Sequence, residues 1–194
     1  MIGSEHIGVG VVGYGYWGPN MVRNFHCASG SSVVAVCDCN REQLLRAQTA
    51  YPQISLYSDF DEMLKNTSVD AVCLSTPLSS HFSLAMKAIE AGKHVLIEKP
   101  MVSSTDEALR LRDAAAKRKV TLMVDHTFVY TSAVQKIQRL VKSKELGKLF
   151  YYDGVRVNLG LFQHDINVLW DLAIHDLSIL DFLLGEMPVA VSAT

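Results

Sequence analysis

Six short apolar runs alternate with five longer segments whose apolar residues recur every three or four positions, and few folds accept that order. The runs are Ile7–Val12, Val33–Cys37, the weaker Ile54–Tyr57, Ala71–Leu74, His94–Ile97 and Val120–Val124. Between them lie Trp17–Ala28, Asn40–Ala50, Phe60–Asn66, Ser80–Ala91 and Thr105–Arg118. The runs have strand length and the periodic segments have helix length. Helix starts are marked by Ser58-Asp59 and Ser104-Thr105-Asp106-Glu107, and Gly92 stands where a helix should close before His94. Most runs are apolar without alternation, which marks strands covered on both faces. Strand and helix in turn predict an α/β chain: a doubly wound parallel sheet with right-handed crossovers.

After Asp125 the rhythm changes. A helix over Ala133–Lys142 leads to a longer strand over Leu149–Asn158. Next comes the segment LGLFQHDINVLWDLAIHDLSILDFLL, and then a last strand over Val189–Ala193. Two strands and two helices do not close a sheet, so residues 126–194 are expected to form an incomplete α+β mixed-sheet domain after a first domain at 1–125. At 194 residues with 49% hydrophobic and 20% charged residues, the chain has material for a sizeable core. The net charge of −2 points to no nucleic acid and no anionic membrane surface as partner. Lys117-Arg118-Lys119 closes a helical pattern, where cations complement the dipole. No run approaches the length of a membrane span, and MIGSEHIGVG lacks a basic n-region. Cys27, Cys37, Cys39 and Cys73 form no Cys-x-x-Cys pair, which fits a reducing, cytoplasmic location.

GYGYWG at residues 13–18 follows the first strand and opens the first helix. Alone, GxGxxG also serves ordinary tight turns, but inside a βαβ unit each glycine has a task. Gly13 permits the turn, Gly15 lets backbone approach a pyrophosphate, and Gly18 lets helix pack on strand. The helix N-terminus then faces the phosphates. Asp38 ends the second strand, twenty residues beyond Gly18. Its carboxylate suits the adenosine ribose hydroxyls, at about 1.5–3 kcal/mol per charge-assisted bond. It would repel a 2′-phosphate by about 4 kcal/mol for unit charges ~4 Å apart at an effective dielectric of roughly 20. NAD is therefore expected over NADP, with nearby Arg41 as the residue that could pair with a phosphate.

In an open parallel sheet ligands bind beyond the carboxyl ends of the strands. Three loops there carry reactive residues: Ser75-Thr76-Pro77 with His81, Glu98-Lys99-Pro100, and Asp125-His126. Lys99, at a strand end and braced by proline, suits proton transfer; its alternative is a surface lysine paired with Glu98. Asp171 and His175 are four apart, so on a helix they share a face. An imidazole oriented by a carboxylate is a common acid/base arrangement. A core or capping histidine remains open, as does a pair of metal ligands, for which no third partner is evident and His164-Asp165 is the only nearby candidate; no metal is expected. His6, His26 and His94 belong to no constellation.

With GYGYWG, STP followed by His81, EKP at 98–100 and DLAIHD at 171–176 in this order, the chain resembles the glucose–fructose oxidoreductase / inositol dehydrogenase (Gfo/Idh/MocA) family. The resemblance implies a Rossmann domain for NAD(P) and a mixed-sheet domain that covers the nicotinamide and holds a sugar or cyclitol. It places the catalytic lysine on Lys99 and the family's Asp/His pair on Asp171 and His175. Cofactor contacts are implied at Gly13, Gly15, Tyr16, Trp17, Gly18, Asp38, Arg41, Ser75, Thr76, Pro77, His81, Glu98 and Lys99. RVNLGLFQHDINVLWDLAIHD looks most like members acting on nucleotide-linked sugars, such as UDP-N-acetylglucosamine 3-dehydrogenases. Family members are longer, so the second domain is expected to be truncated, and the full-length form to be a homo-oligomer. The expected activity is NAD-dependent hydride transfer at a ring hydroxyl carbon of a sugar. The alternative is a non-catalytic dinucleotide-binding protein.

Overall fold

The computed structural model describes residues 6–157 and 166–192, and the chain divides into two compact units, Met1–Asp125 and His126–Thr194. The first unit is built on one parallel sheet. Its strands are β1 (Ile7–Val12), β2 (Ser31–Cys37), β3 (Ser55–Tyr57), β4 (Ala71–Leu74), β5 (His94–Ile97) and β6 (Leu122–Val124). They lie in the order β3-β2-β1-β4-β5-β6, all parallel, which is the Rossmann order with its reversal between β1 and β4. The crossovers are α1 (Gly18–Cys27), α2 (Arg41–Ala50), α3 (Phe60–Leu64), α4 (Leu78–Glu90) and α5 (Thr105–Arg118).

Each face of the sheet has its own core. Val9 and Val11 of β1 pack with Met21 and Val22 of α1 on one side. Val12, with Ala85 and Ile89 of α4 and Leu111 of α5, packs on the other. A sheet buried on both faces needs strands that are apolar throughout, and β1 is buried from Gly8 to Val12.

Local signals set the helix ends. Asn40 accepts from the Glu42 amide at 2.9 Å, Asp59 from the Asp61 amide at 2.7 Å, and Ser104 from the Glu107 amide at 3.2 Å. Gly92 adopts φ 77° just past α4. Several boundaries differ from the sequence expectation by one or two residues, and two of them have visible reasons. Strand β6 starts at Leu122 because the Val120 amide is used to close α5, donating to Ala115 O at 3.1 Å beyond left-handed Lys119. Helix α4 starts at Leu78, directly after Pro77, whose carbonyl accepts from the Ser80 amide at 3.0 Å.

In the second unit α6 (Ser132–Lys142) follows a 3-10 turn at Thr127–Tyr130, and α7 (Ile174–Leu184) continues a π turn at Leu169–Ala173. Gln138 of α6 donates to Phe182 O at 2.9 Å. The strands expected over Leu149–Asn158 and Val189–Ala193 are not formed at 149–157 or 189–192; Asn158, Ala193, His164 and Asp165 lie outside the described residues. A strand needs a neighbour to take its amides and carbonyls. Among the described residues this unit offers none, and Phe150, Tyr151, Val155 and Val157 are exposed. No helix among the described residues is long and apolar enough to cross a membrane.

The paired leucines of α5 test the core. Leu111 is fully buried and Leu109 is 42% exposed. Leu111→Ala should cost about 2–5 kcal/mol in chemical denaturation. Leu109→Ala should stay within about 1 kcal/mol. Equal losses would contradict the assigned helix face.

Candidate active site

The glycine loop is fixed by backbone contacts. Gly13 holds φ 86°, and a Cβ on it would lie 2.8 Å from Ser75 O. A Cβ on Gly18 would lie 2.0 Å from Gly13 O, so α1 meets the end of β1 with no room for a side chain. Gly15 is different: nothing lies within 4 Å of its Cβ position. Protein packing therefore does not demand a glycine at 15, and the open space leaves room for the close approach of a ligand. Helix α1 opens without a side-chain cap and with Pro19 in its first turn, which suits anionic phosphates at its N-terminus. Tyr16 and Trp17 stand exposed beside the loop, ring centroids 5.2 Å apart and edge to face.

Asp38 ties the loop to β2. Its Oδ2 accepts from the Tyr14 amide at 2.7 Å and its Oδ1 from the Asn40 amide at 2.8 Å. A carboxylate has about four lone-pair sites, so acceptor capacity remains for ribose hydroxyls. Arg41 is exposed at the start of α2. Cys37 just before Asp38 is inert as a thiol: burial first, then the charge of Asp38, pushes it up to about 12.

At the ends of β4 and β5 the predicted residues meet through the protein's own hydrogen bonds. The Ser75 hydroxyl lies 2.8 Å from Gly13 O and 3.1 Å from Val12 O, joining β4 to the glycine loop. Pro77 caps α4, and the Thr76 hydroxyl accepts from Ser80 at 2.7 Å. His81 is buried, with Nε2 2.8 Å from Thr76 O and Nδ1 3.0 Å from Pro100 O. Its ring thus spans the loops after β4 and β5, holding in place the chain that carries Glu98 and Lys99. Lys99 is half-buried and precedes a cis bond to Pro100. Glu98 is raised to about 7, by burial first and then by the carboxyl of Asp125, with which it shares a hydrogen bond; the Lys99 amide and ammonium oppose the shift.

In the second unit Asp171 lies in the π turn and His175 in the first turn of α7. Single π turns inside helices recur at functional sites. Asn167 organises this start, its Oδ1 accepting from the Leu169 and Trp170 amides at 3.1 Å each. His175 is buried, its ring edge-to-face with Phe128 at 4.8 Å. Arg156 lies 4.8 Å over the ring of Phe128 and pairs with Asp176 at 2.5 Å. Phe128, Arg156 and the link between Asp125 and Glu98 escaped the sequence reading. They join positions far apart in the chain, and only strand register gave any hint of the last. No group of three metal-ligating side chains is placed to hold a metal among the described residues.

Strand order, an open second glycine at an uncapped helix and an acidic residue directly after β2 define a dinucleotide-binding domain of the Rossmann kind. Residues 7–126 match the family described as oxidoreductases with an NAD-binding Rossmann fold, Gfo/Idh/MocA, and the chain belongs to that family. It is 34% identical to a UDP-N-acetylglucosamine 3-dehydrogenase of Acidithiobacillus ferrooxidans, over 97% of this chain and 58% of the relative. The crystal structure of an NAD-binding protein from Listeria innocua is 28% identical with TM-score 0.78, covering 92% of this chain and 55% of that one. The WlbA dehydrogenase of Bordetella pertussis, solved with NADH and UDP-GlcNAcA, is 27% identical with TM-score 0.68 over 73% of this chain and 43% of its own. The chain thus spans about half the length of the proteins it matches.

Two expectations follow. Gly15→Ala should leave stability within about 1 kcal/mol while weakening NAD binding, and Gly18→Ala should destabilise the fold itself by several kcal/mol, roughly the range of severe strain or overpacking. Comparable unfolding midpoints for the two variants would contradict these glycine roles. With Asp38 at the ribose end, titration should give tighter binding of NAD(H) than of NADP(H); equal affinities would assign Arg41 to a phosphate.

Proposed function

We propose that the chain carries the cofactor-binding and proton-transferring residues of a cytoplasmic dehydrogenase acting on a nucleotide-linked sugar, homo-oligomeric in its full-length form. The observation that carries this reading is the company Lys99 keeps. It follows β5, on the nicotinamide half of a Rossmann sheet, in a chain that also holds Asp171 and His175 four residues apart. The sugar class is supported by the similarity to a UDP-N-acetylglucosamine 3-dehydrogenase across nearly the whole chain.

NAD+, when bound, accepts hydride from a carbinol carbon. Loss of hydride from an alcohol is steeply uphill unless its proton leaves too, so a base must come within ~2.6–3.2 Å of that oxygen. Lys99 and His175 are the groups assigned to exchange this proton. Lysine serves as a base when burial or neighbouring charge makes its neutral form accessible. A buried imidazole can take up a proton when a carboxylate stabilises the cation, and Asp171 is assigned that role and the orientation of the ring. The packing of His175 against Phe128 restricts its ring to few orientations, which favours a single direction of transfer.

The test is a screen of nucleotide sugars by NADH absorbance, followed by substitution at the three positions. Lys99→Ala and His175→Ala should each lower turnover by about 10²–10⁴-fold with little change in NAD affinity. Asp171→Asn should cost less, because the proton carrier remains. Near-normal turnover in Lys99→Ala would leave proton transfer to His175 alone. NAD binding with no turnover of any sugar would make the chain a dinucleotide-binding protein instead.

A further inference from the structure

Strand order separates the two ends of the dinucleotide. The Rossmann sheet consists of two mononucleotide halves that meet at the reversal between β1 and β4. Asp38 directly follows β2 and suits the adenosine half, so the nicotinamide half is that of β4–β6. There two carboxyl groups leave adjacent strands together. Ile97 pairs in register with Val124, so Glu98 and Asp125 are the next residues of neighbouring strands. The Asp125 amide donates to Ile97 O at 2.9 Å, and the two side chains are hydrogen-bonded. Two ionised carboxylates are acceptors only, so a hydrogen bond between them requires one proton. Among the groups near Glu98 are Lys99, whose amide lies 3.2 Å from Glu98 Oε2, and Cys73 of β4. The Cys73 thiol is pushed up by burial first and then by Glu98 and Asp125.

We propose that the Glu98–Asp125 pair holds one proton when the nicotinamide end is uncharged and gives it to solvent when the pyridinium of NAD+ binds, so that the chain distinguishes NAD+ from NADH in a pH-dependent way. The oxidised ring carries a positive charge that the reduced ring lacks. The balance is simple: protonated protein and NAD+ give the complex and one proton, and no bond of the cofactor changes. Glu98 is neutral below about 7 and ionised above it, so preference for NAD+ grows as pH rises through that value. The inference rests on NAD binding alone and not on the identity of the sugar.

The experiment is calorimetric titration of the full chain with NAD+ and with NADH, between about pH 5.5 and about pH 8.5, in buffers of different ionisation enthalpy. Across this range the ratio of NADH to NAD+ dissociation constants should rise about tenfold, the scale set by one unit charge near another at a partly solvated edge. Near neutrality NAD+ should release protons and NADH should not. Glu98→Gln should flatten the ratio and abolish the release, and since His81 and His126 keep their imidazoles in that variant, their contribution is separated. Asp125→Asn removes the neighbouring charge and should move the rise to lower pH. Equal proton release for both forms, or an unchanged profile in Glu98→Gln, overturns the proposal. Should the glutamine variant fail to fold, the wild-type proton count and the Asp125→Asn shift still decide it.

Discussion

The contact between Gly18 and the carbonyl of Gly13 is the constraint on which the first unit depends. It leaves no space for a side chain, and so brings the first turn of α1 directly against the end of β1. The same carbonyl lies 2.8 Å from the Ser75 hydroxyl, which adds β4 to the junction. Asp38 adds β2 by accepting the Tyr14 amide. Strands β2, β1 and β4 and helix α1 are thus joined within a few residues, at the point where the strand order reverses. A ligand held there meets backbone donors that are already in place, so little ordering is left for binding to supply.

The first unit was largely legible in the sequence because its signals are local. Continuous apolar runs gave all six strands, with three extents reproduced residue for residue at Ile7–Val12, Ala71–Leu74 and His94–Ile97. Side-chain caps at Asn40, Asp59 and Ser104 are equally local. Boundaries slipped where a tertiary or capping hydrogen bond took priority, as at Val120. The second unit was less legible for a physical reason. Leu149–Asn158 has strand composition, but composition does not supply the neighbouring strand that its backbone requires. Among the site residues, the turn at Gly13 and the close helix packing at Gly18 could be read from spacing. The environment of Glu98 could not, because it depends on which strand lies beside β5 and where that strand stops.

The two units treat their ionisable groups in contrasting ways. At the ends of β5 and β6 like charges are crowded together, and Glu98 responds by keeping its proton to about 7. His175 has the ring of Phe128 against it, and on that ring lies Arg156, paired with Asp176. Crowded carboxyls favour retention of a proton, and ring packing restricts the orientation of an imidazole; these are different effects of burial.

The exposed pair beside the glycine loop has an optical consequence. Trp17 is half exposed and adjoins Gly18, and the chain has one other tryptophan, Trp170. An indole in that position would change its hydration if phosphates settled on the loop, and its emission would then report occupancy from within the polypeptide. With Trp170 replaced by phenylalanine, arrival of a dinucleotide could be followed in real time at a single intrinsic fluorophore.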